Sequence, residues 1–286
     1  LDGLLDEKAY YAGIDGKNIS GIEVRIFEEN NANIPDTPQT PTGKHKIIDA
    51  PFISQMPDYP TGCESVATVM ALQHAGVHKT VLSFINSYLY RTSLPFDPNI
   101  SFGGDPRDTR NSYGCYSPVI KKALDKCFQS PEISFYKAVE LKNVSLQQLC
   151  SDYIDKDIPV IMWATIDMKP WYNGDHWYYN GKKIQWIAPE HCLLLVGYDD
   201  EHYIFNDPLK SKPFTYYKKA AVEQAYAGLF SQAVIIYMDR KEAISKVCGM
   251  KAKNILSTFS MINEHLLSNK FEFDQQKKVF GSEYVD

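Results

Sequence analysis

The sequence predicts an α+β fold, with helices from the first half packed on an antiparallel sheet from the second. Three observations predict it. Helical spacing prevails from Thr61 to about Asp157. Short apolar, β-branched or aromatic runs prevail from there to Met238. Asn180-Gly181, set between aromatic runs, marks a tight hairpin within that second part.

Each element follows from its own residues. Residues 1–30 are mixed, and "SGIEVRIFEE" alternates enough to read as one strand. Residues 30–46, "NNANIPDTPQTPTGKHK", are rich in Pro, Thr and Asn and read as a linker, so 1–45 form an N-terminal extension. "IIDAPFIS" reads as a strand that opens the main domain, 46–238. From Thr61, Val66, Val69 and Met70 fall at i, i+3 and i+4, which predicts a helix capped by Thr61 or Gly62 and ended by Gly76. "TVLSFINSYLY" predicts a second helix, and residues 91–114 a long irregular loop. "SPVIKKALDKCF" predicts a helix with Ser117 as N-cap and Pro118 in its first position, and "SLQQLCSDYIDKD" another. "IPVIMWATI" is short and apolar enough for a buried strand. "EHCLLLVGYDDEHYIFNDPL" reads as strand, turn, strand; "KKAAVEQAYAGL" as a helix; "SQAVIIYM" as a last strand. Residues 239–286 are charged and helix-prone with little to pack, a C-terminal extension.

Composition narrows the function classes. A net charge of −5 argues against a nucleic-acid binder, which normally shows a basic patch. No apolar run approaches the roughly 18 residues of a membrane span. Six cysteines in 286 residues are too few for a disulfide framework, and with no C-x-x-C pair a structural zinc site is not expected.

One cysteine is placed for chemistry. In "SQMPDYPTGCESVATVMALQHAG", Cys63 stands where a turn-rich loop becomes a helix. A helix N-terminus favours the thiolate, the nucleophilic form, so Cys63 is expected to react below its ordinary pKa of about 8.5. Backbone N–H groups at such an end can also hold an oxyanion. A cysteine nucleophile needs a base, and His191, at the start of the strand "HCLLLVGYD", is the best of seven histidines. "FNDPL" on the next strand offers Asn206 and Asp207 to orient it. A three-residue loop centred near Asp200, or a bulge, would set Asp207 opposite Leu193, one diagonal step from His191; an even loop would favour Asn206. Gln55, eight residues before Cys63, carries an amide that can complete an oxyanion hole with the Cys63 N–H. A metal site of Cys63, His191 and Cys192 is not expected, because strand neighbours point to opposite faces.

Gln, Cys at a helix start, His at a strand start and Asp-Pro after the next strand together resemble the papain-like cysteine peptidases. More closely, "PFISQMPDYPTGCESVATVMAL", "PVIMWATI", "WIAPEHCLLLVGYDDEHYIFNDPL" and "SQAVII" are similar to the bacterial family related to bacteriocin-processing (double-glycine leader) peptidases. The resemblance covers about residues 46–238. It implies a papain-like fold, its helical part carrying the nucleophile and its antiparallel sheet carrying the His and Asp. It implies Cys63 as nucleophile, His191 as base, Asp207 rather than Asn206 as orienting acid, and Gln55 as oxyanion donor. It further implies a stand-alone thiol peptidase without the fused transporter, acting on a peptide or protein with no metal or cofactor, outside the cell or on the surface of a Gram-positive bacterium. Tyr59, Tyr113, Trp171, Trp177 and Trp186 are candidates to line the substrate cleft. The same residues would also serve a thiol acyltransferase, with an amine in place of water, or persist in a peptide-binding module without turnover.

Overall fold

The computed structural model describes residues 45–249. The strand read at "SGIEVRIFEE", the linker, and most of the C-terminal extension lie outside the described residues.

Along the chain, β1 (Lys46–Ile47) leads through an extended segment into α1 (Cys63–His74) and α2 (Val81–Ser87). The short strands β2 (Arg91–Thr92) and β3 (Phe102–Gly103) pair in parallel inside the 91–114 segment. Then come α3 (Ser117–Cys127), β4 (Tyr136–Lys142), α4 (Leu146–Asp152) and β5 (Val160–Thr165). The hairpin β6 (Tyr172–Tyr179) and β7 (Lys182–Ala188) precedes β8 (Glu190–Tyr198), β9 (His202–Asn206) and β10 (Thr215–Lys218). The described chain closes with α5 (Lys219–Gly228), β11 (Gln232–Met238) and α6 (Arg240–Gly249). A sheet of order β10-β9-β8-β5-β11-β4 forms one layer, every pair antiparallel, with β1 on the end of β8. Helices α1, α3 and α5 pack on it. The α+β expectation is met.

Helix α1 is buried almost all round, from Cys63 through Leu72. Small and branched residues (Ser65, Val66, Ala67, Val69, Ala71) let it lie close to β8 and β5. A polar helix start therefore enters the interior, and its side chains need partners there. The cap is Gly62, which offers no side chain, because Thr61 is drawn away: its hydroxyl donates to the Asp108 carbonyl at 2.9 Å and pairs with Ser112 at 2.8 Å. Ser117 falls one place inside α3 rather than capping it, with Tyr116 as the N-cap. The 91–114 segment is better organised than a loop. Asp105 holds both Arg91 and Arg107 at 2.7 Å, and Phe96 is fully buried under Gly103.

The hairpin at Asn180-Gly181 forms as read, with φ of 49° and 77° at the two turn residues. Strands β8 and β9 reach their register by a bulge. Near the turn Tyr198 faces Tyr203, but farther along Leu194 faces Asn206, so one extra β8 residue, Val196, is taken up between Leu195 and Gly197. One more step of that register sets Asp207 opposite Leu193, on the face of His191. Without the bulge Asp207 would fall opposite Leu194 and point away. Gly197 makes room for this: a Cβ there would sit 2.3 Å from the Lys46 carbonyl oxygen of β1. Gly197→Ala is therefore expected to lower the unfolding free energy by about 1–3 kcal/mol, measured by denaturant titration, with peptide turnover falling alongside it.

Candidate active site

Four elements carry the predicted residues: the segment before α1 holds Gln55, α1 holds Cys63, β8 holds His191, and the end of β9 leads to Asp207. All four are buried: Cys63 is 6% exposed and the other three 1% each.

His191 and Asp207 are joined directly. The His191 Nε2 lies 2.7 Å from Asp207 Oδ1. Asp207 also accepts the Leu209 N–H at Oδ1 (2.9 Å) and the Tyr217 hydroxyl at Oδ2 (2.7 Å). Burial pushes this carboxyl up, but donation from His191, Tyr217 and Leu209 outweighs it and holds Asp207 below the ordinary carboxylate range. Being ionised, Asp207 can only accept, so Nε2 must donate. That fixes the tautomer and leaves Nδ1 as the basic nitrogen. Asn206 turns to other work, donating to the Ala50 carbonyl at 2.9 Å and accepting from the Phe214 N–H at 3.3 Å.

Tyr217 of β10 was not read from the sequence. Its hydroxyl is one of the donors that keep Asp207 charged. Tyr217→Phe removes it, raises the folded pKa of Asp207, and so moves the acid limb of kcat/KM upward. A pH–rate profile checks this. The accompanying stability loss is about 1–2 kcal/mol.

Gln55 is anchored at both ends of its residue. Its N–H donates to the Pro208 carbonyl (2.8 Å) and its Nε2 to the Pro60 carbonyl (2.8 Å). One amide hydrogen is used to hold the group; the second remains for an oxyanion.

Cys63 departs from expectation. Its thiol is pushed well up, by burial first and then by the charges of Glu64 and Glu190, with only the Cys192 N–H acting the other way. The sulfur lies 3.3 Å from Glu64 Oε2. Among the described residues no hydrogen bond joins it to His191. The helix dipole is thus outweighed by two carboxyls and loss of water, and the resting group is a thiol, not a thiolate. Its Cys192 contact nonetheless sets it beside the residue that follows His191 on β8. Glu64 and Glu190 were not singled out from sequence. Their oxygens and the Cys63 sulfur converge within 4.8 Å. Both carboxyls are pushed up, Glu64 to about 7, chiefly by burial.

The aromatic candidates divide. Tyr59 is half-buried on the turn that leads to Cys63, its carbonyl accepting the Gly62 N–H at 2.9 Å. Tyr113, Trp177 and Trp186 form one cluster with Phe96 and Tyr116, and Trp186 stacks on Tyr116 with centroids 5.5 Å apart. Those rings chiefly pack the β6–β7 hairpin onto the 91–116 segment. Trp171, half exposed, stands apart from that cluster over Gly228 at the end of α5.

Comparisons with known proteins bear on the whole domain. The model of the Peptidase_C39 like family matches residues 47–234. The uncharacterized protein YvpB of Bacillus subtilis (strain 168) is 25% identical over 235 residues, 78% of this chain and 90% of YvpB. A crystal structure of a candidate C39-like peptidase from Bacillus anthracis superposes with a TM-score of 0.61 at 26% identity, over 68% of this chain and 98% of that one. The peptidase domain of Streptococcus ComA, a bi-functional ABC transporter involved in quorum sensing, gives a TM-score of 0.38 at 14% identity, over 65% of this chain and 96% of that one.

Proposed function

The chain belongs to the Peptidase_C39 like family, and we propose that it is a cysteine peptidase that hydrolyses a peptide amide bond through Cys63, His191 and Asp207. The observation that carries the reading is the buried His191–Asp207 pair, its register set by the β8 bulge, in a domain whose α1 begins at a buried cysteine.

The steps follow from the geometry. Cys63 rests protonated, so the nucleophile is generated when His191 Nδ1 takes its proton as substrate arrives. This requires the sulfur to leave Glu64 and turn to His191. Sulfur then attacks the carbonyl carbon, and the oxygen gains charge. The Cys63 N–H and the second Gln55 amide hydrogen stabilise that charge. Asp207 favours the imidazolium, which returns its proton to the leaving amine. Water hydrolyses the thioester and regenerates the thiol. Tyr59, on the turn before α1, is the best-placed of the aromatic residues to meet the substrate.

The test is direct. The full chain is incubated with a peptide library, new termini are read by mass spectrometry, and acid-quenched samples are searched for an acyl group on Cys63. New termini together with acylated Cys63 are expected. Termini that form without any dependence on Cys63 would sink the reading.

A further inference from the structure

Two carboxyls flank the proposed catalytic groups in sequence: Glu64 follows Cys63 on α1, and Glu190 precedes His191 on β8. They meet in space, their oxygens and the Cys63 sulfur within 4.8 Å of one another. A third segment closes around them. Cys115 donates its N–H to Glu64 Oε1 at 2.6 Å. Gly114, at φ +132°, leaves room that no other residue would: a Cβ there would lie 2.6 Å from Glu64 Oε1 and 3.1 Å from Glu190 Oε2.

The two acids are not equivalent. Glu64 has a donor at each oxygen, the Cys115 N–H and the Cys63 thiol. Glu190 Oε1 is buried with no hydrogen-bond partner among the described residues. A carboxylate oxygen is costly in that position, whereas a carboxylic acid supplies its own donor. Glu64 is therefore the ionised member and Glu190 the protonated one. Two carboxylates this close in the interior cannot both ionise without a large cost.

We propose that Glu64 and Glu190 are positioning residues: by sharing one proton they clasp the helix start that carries Cys63 to the strand start that carries His191. Its catalytic consequence rests on the peptidase reading; its consequence for stability does not. The titratable groups facing the pair are the thiols of Cys63 on α1, Cys115 before α3 and Cys192 on β8, with the Tyr116 hydroxyl beside Glu190. Burial pushes all of these toward their neutral forms. The proton that joins the two acids is retained at low pH. Because both acids are held above their ordinary value of 4.5, stability is lost as pH rises from there through the folded values, about 7 for Glu64 and well above 4.5 for Glu190.

The experiment compares the full wild-type chain with Glu190→Gln, Glu190→Leu and Glu64→Gln. Thermal midpoints are taken from pH 5 to 8.5, and iodoacetamide labelling of Cys63 is followed by mass spectrometry over the same range. The wild-type Tm is expected to fall by roughly 5–10 °C across it. Glu190→Gln, which keeps a donor but cannot ionise, should at least halve that fall. It should also shift Cys63 labelling toward lower pH, because the charge that Glu190 acquires on ionising at alkaline pH no longer forms beside the sulfur. Glu190→Leu should lower kcat about tenfold, with KM less affected, and Gln should restore most of the loss, as a merely space-filling role would not require. A wild-type Tm that is flat over the range, or equal slopes for wild type and Glu190→Gln, overturns the proposal. If Glu190→Gln fails to fold, the wild-type slope and Glu64→Gln decide it. Cleavage that survives Cys63→Ala would remove the peptidase reading, while the Tm and labelling measurements would still judge the clasp.

Discussion

Cys63→Ala is expected to abolish peptide cleavage, with kcat/KM down by about 10⁴-fold or more. No other side chain can stand in for the sulfur: of the cysteines described, Cys115, Cys127, Cys150 and Cys192 are free and buried, and Cys192 points to the opposite face of β8 from His191. The fold should survive, since losing one buried sulfur from a helix start is a small change and alanine suits the helix. It loses only the weak thiol donor to Glu64 Oε2, whose other oxygen keeps the Cys115 N–H. A parallel thermal melt separates lost chemistry from lost structure. Turnover above a tenth of wild type would exclude Cys63 as the nucleophile. The same geometry predicts slow labelling of the resting enzyme near neutral pH, rising in the alkaline range, because the thiol is held well up by burial and both carboxyls.

His191→Ala is the second large effect. Removing the base should lower kcat/KM by about 10³–10⁴-fold. Unlike Cys63→Ala it should also weaken the fold, because Asp207 keeps its charge and its burial but loses one of its two closest donors. Leu209 and Tyr217 still serve the carboxylate, so the cost is about 1–3 kcal/mol rather than that of a bare buried charge. Its pH dependence has a defined sign. In the wild type Asp207 is held below its ordinary 3.8, so its contribution is complete above that value and is lost as pH falls through the lower, folded one. The variant should therefore show a smaller loss of stability on acidification. Urea titrations at two acidic pH values measure that difference, and an unchanged acid response would mean that His191 does not hold Asp207 in solution.

Much of this was readable in the chain. The start of α1, the Asn180-Gly181 hairpin and the β8–β9 pair each carry strong local signals, and they locate Cys63, His191 and Asp207. What sequence left open was set by contacts between distant segments. Parity alone could not choose between Asn206 and Asp207, because the extra residue at Val196 is taken up where β1 crosses Gly197. Strands β4 and β10 were missed because their residues are half polar and owe their extended form to β11 and β9. The thiolate expectation failed for a related reason: a helix end can be judged locally, but the approach of Glu190 from another strand cannot.

The Asp207-Pro208 turn serves two ends at once. Asp207 aims the imidazole, while the next carbonyl, that of Pro208, receives the Gln55 N–H and so seats the residue that would meet the oxyanion. The proposed proton transfer and charge stabilisation would thus share one mechanical support, although the groups assigned to them come from opposite ends of the domain sequence. Changes at positions 208–210 would damage both together. In a mutational survey such positions would look like active-site residues without touching the substrate, and their effects would combine less than additively with those of Gln55 and Asp207.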